Sequence, residues 1–168
     1  MGSKKEEFNK LVNQHSAMLY RYAFWLSKSP EIAQDLVQET FLRAWRGFDS
    51  LKNQASAKHW LITILRRENA RRFERKTLKR VNKEVDTIES PYGHINSSIE
   101  AFALRQAIDE VSPEYREPLI LQVLCGYSSK EIAEILDLTP EAVMTRLYRA
   151  RKSLRKILSG SESGRRES

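Results

Sequence analysis

The pattern of apolar and polar positions along the chain is helical from end to end. Apolar residues recur at intervals of three and four, and no run alternates in the way typical of strands. Glycine (6) and proline (5), the residues that usually interrupt helices, are scarce in 168 residues. We therefore predict an all-α fold.

The front half of the chain contains three amphipathic segments. The first covers about residues 5–27. The second starts at Ser29 and Pro30, a pair typical of a helix N-terminus, and its apolar stripe includes Trp45. The third is a long helix over about 57–80. The apolar positions that predict its inner face are Trp60, Leu61, Ile64, Leu65 and Phe73.

The back half ends in two capped helices, in the stretch SSKEIAEILDLTPEAVMTRLYRARKSL. Ser128 and Glu131 have the spacing of a capping box, and Thr139 with Pro140 starts a second helix after a short turn. This arrangement predicts a helix-turn-helix, whose second helix enters a major groove of DNA. The residues that predict its buried face are Val143, Leu147, Ala150 and Leu154.

Charge divides the chain into three parts. The net charge is +7, and residues 58–83 hold ten basic and two acidic side chains. Residues 84–117 hold eight acids and two bases, whereas residues 144–156 hold six bases and no acid. Two basic faces and a positive net charge favour a nucleic-acid partner, with an anionic membrane surface as the alternative. The aperiodic segment DTIESPYGHINSS predicts a linker. The predicted organisation is a helical domain over 1–82, a flexible acidic linker over 83–97, a helix-turn-helix domain over 98–160 and a disordered tail over 161–168.

Several kinds of site and function are disfavoured by the composition. A single cysteine, Cys125, excludes an intrachain disulfide and a cysteine-cluster metal site. The three histidines (His15, His59 and His94) fit no ligand spacing and the carboxylates fall on exposed helical faces, so we expect no metal site and no catalytic residue. We also expect no cofactor and no small-molecule substrate. No apolar run approaches the ~20 residues of a membrane span, so we expect no membrane insertion. From the residues alone, a stand-alone helix-turn-helix regulator with a helical sensor domain remains an alternative, and a nucleic-acid enzyme is a weaker one.

The order of the segments carries a resemblance over about residues 8–158. An acidic helix with DLVQETFLRAW is followed by WLITILRRENARRF, an acidic linker, and a rear domain that ends in TRLYRARKSL. This order resembles the extracytoplasmic-function (ECF) sigma factors, which belong to the sigma-70 family of bacterial RNA polymerase subunits. The resemblance implies a cytoplasmic, non-enzymatic protein that binds core RNA polymerase, directs it to promoters and assists their opening. It also implies an anti-sigma partner, which in this family often holds the sigma factor near the inner membrane.

The resemblance also assigns three groups of residues. Those implied to bind the clamp helices of the polymerase are Asp35, Gln38, Glu39 and Leu42. Those implied to contact the minus-ten element are Lys58, His59, Arg66, Arg67, Asn69 and Arg71. Those implied to contact the minus-thirty-five element, in a rear domain that also sits on the polymerase flap, are Met144, Thr145, Arg146, Tyr148, Arg149 and Lys152.

Three positions depart from the family pattern. Arg67 stands where many members have an asparagine, Met144 where many have lysine or arginine, and Ala57 where an aromatic residue is usual. The resemblance therefore leaves the promoter sequence open.

Overall fold

A computed structural model of the chain describes residues 2–79 and 99–166. Within these two ranges every regular element is helical, which confirms the predicted all-α fold. The chain divides into two compact units between Pro91 and Tyr92. This division falls inside the predicted linker, but the linker residues 83–97 themselves, and the predicted boundaries at 82 and 98, lie outside the described residues.

The first unit is built from three helices. They are α1 (Lys4–Ser27), α2 (Pro30–Arg46) and α3 (Ala57–Lys79), and two 3-10 turns, Phe48–Ser50 and Gln54–Ser56, connect α2 to α3. Each of the three helices packs against the other two. The buried side chains at their junction include Leu11, Leu19, Tyr22, Ala33, Leu36, Ala44, Leu61, Ile62 and Leu65.

The helix starts of the first unit follow from local sequence. The Ser29 hydroxyl accepts a hydrogen bond from the Ile32 amide at 3.4 Å, and Pro30 occupies the first helical position, which confirms the predicted start of α2. Ser3 and Glu6 form a capping box at the start of α1. These side chains satisfy amides that the first turn of a helix leaves without partners.

An aromatic cluster closes the end of this unit where α2 meets the following turn. The ring of Phe8, on α1, meets the rings of Phe41, Trp45 and Phe48 edge to face, with centroid distances of 6.4, 5.1 and 5.3 Å. Phe8 and Phe48 are buried. Edge-to-face contacts add to the free energy gained from burying apolar area, so Phe8 fastens the start of α1 to the turn after α2.

Two predicted core positions are wrong. Trp45 is 39% exposed, because burial on α2 centres on Ala33, Leu36 and Ala44, and Trp45 lies at the edge of that stripe. Phe73 is 48% exposed. It lies roughly 80° around α3 from the buried Leu65, beyond the inner face.

The second unit is built around one long helix. Its helices are α4 (Ile99–Glu110), α5 (Pro113–Val123), α6 (Ser129–Leu136) and α7 (Pro140–Arg166), and α7 packs against each of the other three. The predicted inner face of α7 is buried at Val143, Leu147 and Ala150, and Leu154 is partly buried.

Residues 128–154 form the predicted helix-turn-helix. Asp137 adopts a left-handed conformation (φ 55°) that ends α6, and the Thr139 hydroxyl accepts from the Ala142 amide at 3.1 Å to start α7. The Ser128 hydroxyl accepts from the Glu131 amide and also donates to the Glu131 carboxylate, both at 3.2 Å. The Glu131 side chain thus meets the capping hydroxyl, which differs from the reciprocal capping box that the spacing predicts.

Residues 161–166 differ from the prediction of a disordered tail over 161–168, whose last two residues lie outside the described ranges. The structure continues α7 as helix to Arg166. Because α7 already has many turns, each further residue adds one hydrogen bond without a new nucleation step, and this offsets the weak helix propensity of glycine and serine.

Candidate functional site

The first half of α7 presents a polar face to solvent. Of the six residues assigned to the minus-thirty-five element, five are exposed, including Met144 (61%) and Tyr148 (60%). Thr145 donates its hydroxyl proton to the Glu141 carbonyl at 3.0 Å, which fixes its side chain against the helix. Since the buried face of α7 lies on the opposite side, Thr145, Tyr148 and Lys152 point away from the domain and are placed to enter a groove.

The first turn of α5 contacts two arginines of this face. Arg146 Nη2 lies 3.6 Å from Glu114 Oε1, and this contact turns Arg146 to the side of α7. Arg149 Nη1 donates to the Tyr115 hydroxyl at 3.4 Å, and its guanidinium carbon lies 5.9 Å from the centre of the Tyr115 ring. No local sequence pattern indicates either α5 residue, because their arginine partners are about 30 residues away in the chain.

The six residues assigned to the minus-ten element do not share one face of α3. Arg67 and Arg71 are exposed, and the other four are partly buried. Asn69 lies about 160° around the helix from Arg67, so the two cannot face the same strand from one side of α3. Asn69 accepts a hydrogen bond from Arg72 at 3.4 Å on the inner side of the helix. The structure therefore groups Arg67 with Arg71, which lie one turn apart on the exposed side of α3, and places Asn69 on the same side as Arg66.

A buried carboxylate joins α2 to α3. Glu68 is only 7% exposed, and its carboxylate lies 2.5 Å from Arg43 Nε and 3.1 Å from Arg71 Nη1. Arg43 also pairs with Glu39 at 3.1 Å. The four side chains form a chain of alternating charge from a clamp-assigned residue on α2 to a minus-ten-assigned residue on α3.

In the sequence, Glu68 is one of two acidic residues in a basic segment. Its position three residues after Leu65, on the apolar stripe of α3, is the feature that could have indicated its burial. An acidic residue at such an inner position requires a basic partner, because an unpaired buried charge is very costly.

The outward side of α2 carries the four residues assigned to the clamp. Asp35 and Gln38 are exposed, Leu42 is 50% exposed, and Glu39 is partly covered beside Arg43. The half-exposed Trp45 extends this face, with Lys4 Nζ 4.9 Å from its ring centre. An apolar centre with a polar rim is typical of a protein-binding surface.

One histidine of the first unit has a lowered pKa, which favours its neutral form. Burial, and second the positive charge of Lys58 at the start of α3, lower the pKa of His15 below its usual 6.5. His15 lies on α1 and is partly buried. The lowered pKa of His15 therefore depends on the packing of α1 against the start of α3.

The described parts of the chain hold neither a metal-binding cluster nor a membrane-spanning helix. Residues 2–79 and 99–166 contain no group of three or more His, Cys, Asp or Glu side chains placed to hold a metal ion. Within the same ranges no helix is both long enough and apolar enough to cross a membrane.

Comparison with known proteins assigns each unit to a protein family. Residues 11–78 match the family described as Sigma-70 region 2, and residues 101–154 match Sigma-70, region 4. The chain is 33% identical to the RNA polymerase sigma factor SigV of Bacillus subtilis over 144 residues, which cover 86% of each chain. This chain belongs to the ECF sigma factors.

Other relatives agree with this assignment. The sigma factor is 31% identical to the ECF RNA polymerase sigma factor BldN of Streptomyces coelicolor, of which the match spans 61%. Its structure resembles that of the sigma factor RpoE of Bartonella quintana, solved in complex with the anti-sigma factor NepR, with a TM-score of 0.76 and 27% identity over 92% of this chain and 98% of the other.

Membership of the family fixes the general function. This sigma factor binds core RNA polymerase, directs it to promoters and thereby initiates transcription, and sigma factors are not enzymes. The match of the front unit to region 2 removes the sensor domain on which the stand-alone regulator depended.

Proposed function

We propose that this sigma factor divides promoter recognition among three surfaces. The α2 face with Asp35, Gln38, Glu39 and Leu42 binds the polymerase clamp. The turns after α2 and the basic side of α3 capture the opened minus-ten element. The α7 face reads the minus-thirty-five element, while the second unit sits on the flap. The observation that carries this proposal is the exposed polar face of α7, opposite its buried stripe.

The α7 surface combines two kinds of contact. Tyr148 and Arg149 are exposed on the first half of the helix, where recognition helices meet base edges. Lys152, one turn further on, is exposed and suits a phosphate. An arginine that pairs with a guanine contributes about 1–3 kcal/mol of discrimination, so Arg149 is the residue to test first.

The experiment compares Arg149→Ala with Arg155→Ala in polymerase holoenzyme assembled from the full chain. Arg155 is an exposed arginine of the same helix outside the assigned set. Arg149→Ala should weaken binding to the cognate minus-thirty-five element about 5- to 100-fold and leave core binding unchanged. The control should affect all sequences equally and weakly. Equal loss of core binding by Arg149→Ala would refute this division of surfaces.

The α2 surface is tested with Asp35→Ala combined with Leu42→Ala. Because a few residues of an interface carry most of its binding energy, and these two belong to the assigned face, we expect core affinity to fall at least about tenfold. Binding of the rear domain to duplex DNA should not change. Lys10→Ala, at an exposed position of α1, is the control. Normal transcription by the double variant would remove the clamp assignment.

The α3 surface is tested by following strand opening. Arg67 is exposed one turn before Arg71 on the outer side of α3, where its guanidinium can stack on or pair with an unpaired base. Arg67→Ala should lower permanganate reactivity of the minus-ten thymines more than it lowers closed-complex binding. If both fall in parallel, Arg67 holds duplex DNA rather than the opened strand.

Regulation by an anti-sigma protein follows from the solved relative. RpoE of Bartonella quintana is held by NepR in that structure, and we propose that a protein of this kind covers the same surfaces here. We further propose that the complex is cytoplasmic and is held near the inner membrane when the anti-sigma protein is membrane-bound. A purified candidate should compete with core polymerase for the full chain. Simultaneous binding of both would contradict this proposal.

A further inference from the structure

The first turn of α5 lies beside the recognition face of α7. Tyr115 is partly buried, and its hydroxyl and its ring both meet the exposed Arg149. One residue earlier, Glu114 meets Arg146. Neither Glu114 nor Tyr115 belongs to the residues assigned to promoter contact. Two successive residues of one helical turn therefore hold two arginines of another helix.

The two contacts differ in charge. Glu114 offers a carboxylate, which offsets the positive charge of Arg146 and draws it toward α5. Tyr115 offers an uncharged hydroxyl and a ring face, so this contact brings no negative charge to Arg149 that would compete with the DNA. A hydroxyl that accepts one Nη1 proton leaves the other guanidinium donors available for the paired acceptors of a guanine.

We propose that Tyr115 is a positioning residue that holds Arg149 in its base-reading orientation and so sets discrimination at the minus-thirty-five element. An arginine side chain loses considerable rotamer freedom when it is fixed on a base. A partly buried tyrosine is stiff, and it fixes much of that geometry before DNA arrives. The proposal rests on the assignment of Arg149 to base contact, and it adds a residue of α5 to the determinants of promoter choice.

The test uses polymerase holoenzyme assembled from the full chain and a promoter library with a randomised minus-thirty-five element. Bound DNA is sequenced, and the preference for each base at each position is measured for Tyr115→Leu, Tyr115→Phe, Arg149→Ala and the double variant Tyr115→Leu with Arg149→Ala. Circular dichroism melting reports whether each variant is folded.

The expected result is specific to one place in the element. Arg149→Ala should abolish preference at one or two adjacent positions. Tyr115→Leu should reduce preference at those same positions about 3- to 10-fold, the effect of losing one preorganised side chain, and leave the others unchanged. Tyr115→Phe, which keeps the ring, should fall between Tyr115→Leu and the unmodified chain. The double variant should match Arg149→Ala, because Tyr115 acts through Arg149.

The outcomes separate this inference from the function on which it rests. If Arg149→Ala alters no position, the assignment of Arg149 is wrong. If Arg149→Ala acts as expected but Tyr115→Leu and Tyr115→Phe leave the preference unchanged, the positioning role is wrong. Equal loss at every position in the tyrosine variants would show that Tyr115 only supports the fold. If Tyr115→Leu does not fold, the Tyr115→Phe preference at the Arg149 positions decides.

Discussion

Replacing Glu68 by glutamine should destabilise the first unit far more than its place in a basic helix suggests. Glu68 is 7% exposed and pairs with Arg43 at 2.5 Å and Arg71 at 3.1 Å. Removal of one partner from a buried ion pair lowers the free energy of unfolding by about 3–5 kcal/mol, because the other charge remains buried without a counter-charge.

Two details of the structure lower this figure. Arg43 keeps Glu39 as a partner at 3.1 Å, and its side chain is 34% exposed, so solvent reaches it. Arg71 is 47% exposed, and loss of its pair contributes little. We therefore expect Glu68→Gln to lower the free energy of unfolding by about 2–3 kcal/mol, which corresponds to a decrease of roughly 10–20 °C in the melting temperature of a unit this size.

The assay follows urea unfolding of the full chain by tryptophan fluorescence. All three tryptophans (Trp25, Trp45 and Trp60) belong to the first unit, so the signal reports that unit alone. Glu74→Gln is the control, since Glu74 is an exposed acid of the same helix. If the two variants shift the unfolding midpoint equally, the buried network contributes no special stability and the reasoning fails.

Three further outcomes are expected. Phe8→Ala should lower the free energy of unfolding of the first unit by about 3–5 kcal/mol in the same assay, since the ring contacts three other aromatic rings. A decrease below about 1 kcal/mol would show that the neighbouring rings close the cavity left by Phe8. Glu114→Gln should free the charge of Arg146 and strengthen promoter binding with a steeper salt dependence, and an unchanged slope of affinity against salt would contradict this. Burial and the charge of Lys58 lower the pKa of His15 in the folded state only. The free energy of unfolding of the first unit should therefore be constant with respect to His15 above about pH 6.5 and should decrease as the pH falls below that value. Replacement of His15 by glutamine should flatten that pH dependence between pH 7.5 and 5, and an identical slope in the variant would refute the assignment.

Local chemistry in the sequence was sufficient for two of the helix starts. Ser29 with Pro30 and Thr139 with Pro140 cap and start helices through contacts within one turn, and both pairs do so in the structure. The inner face of α7 was equally accessible, because the spacing of Val143, Leu147 and Ala150 repeats at the helical period. The family could be predicted from two segments, DLVQETFLRAW and TRLYRARKSL, because their order and separation can be read directly from the sequence.

Features that depend on rotation and on distant partners could not be predicted. Trp45 sits at the edge of an apolar stripe, where a small rotation of α2 decides exposure. Glu68 and Tyr115 act through residues 25 and 34 positions away along the chain, and no local pattern specifies those pairs. The separation of Arg67 and Arg71 from Asn69 likewise depends on which face of α3 the other two helices cover.

The unbroken course of α7 has a practical consequence for labelling. Leu154 ends the region 4 match, and the helix continues to Arg166. At 1.5 Å per residue, these twelve further residues extend the helix by about 18 Å. A fluorophore or affinity handle attached after the last turn would therefore stand well away from the base-reading end. Energy transfer from such a site to labelled promoter DNA would measure how far the recognition helix lies from each base pair.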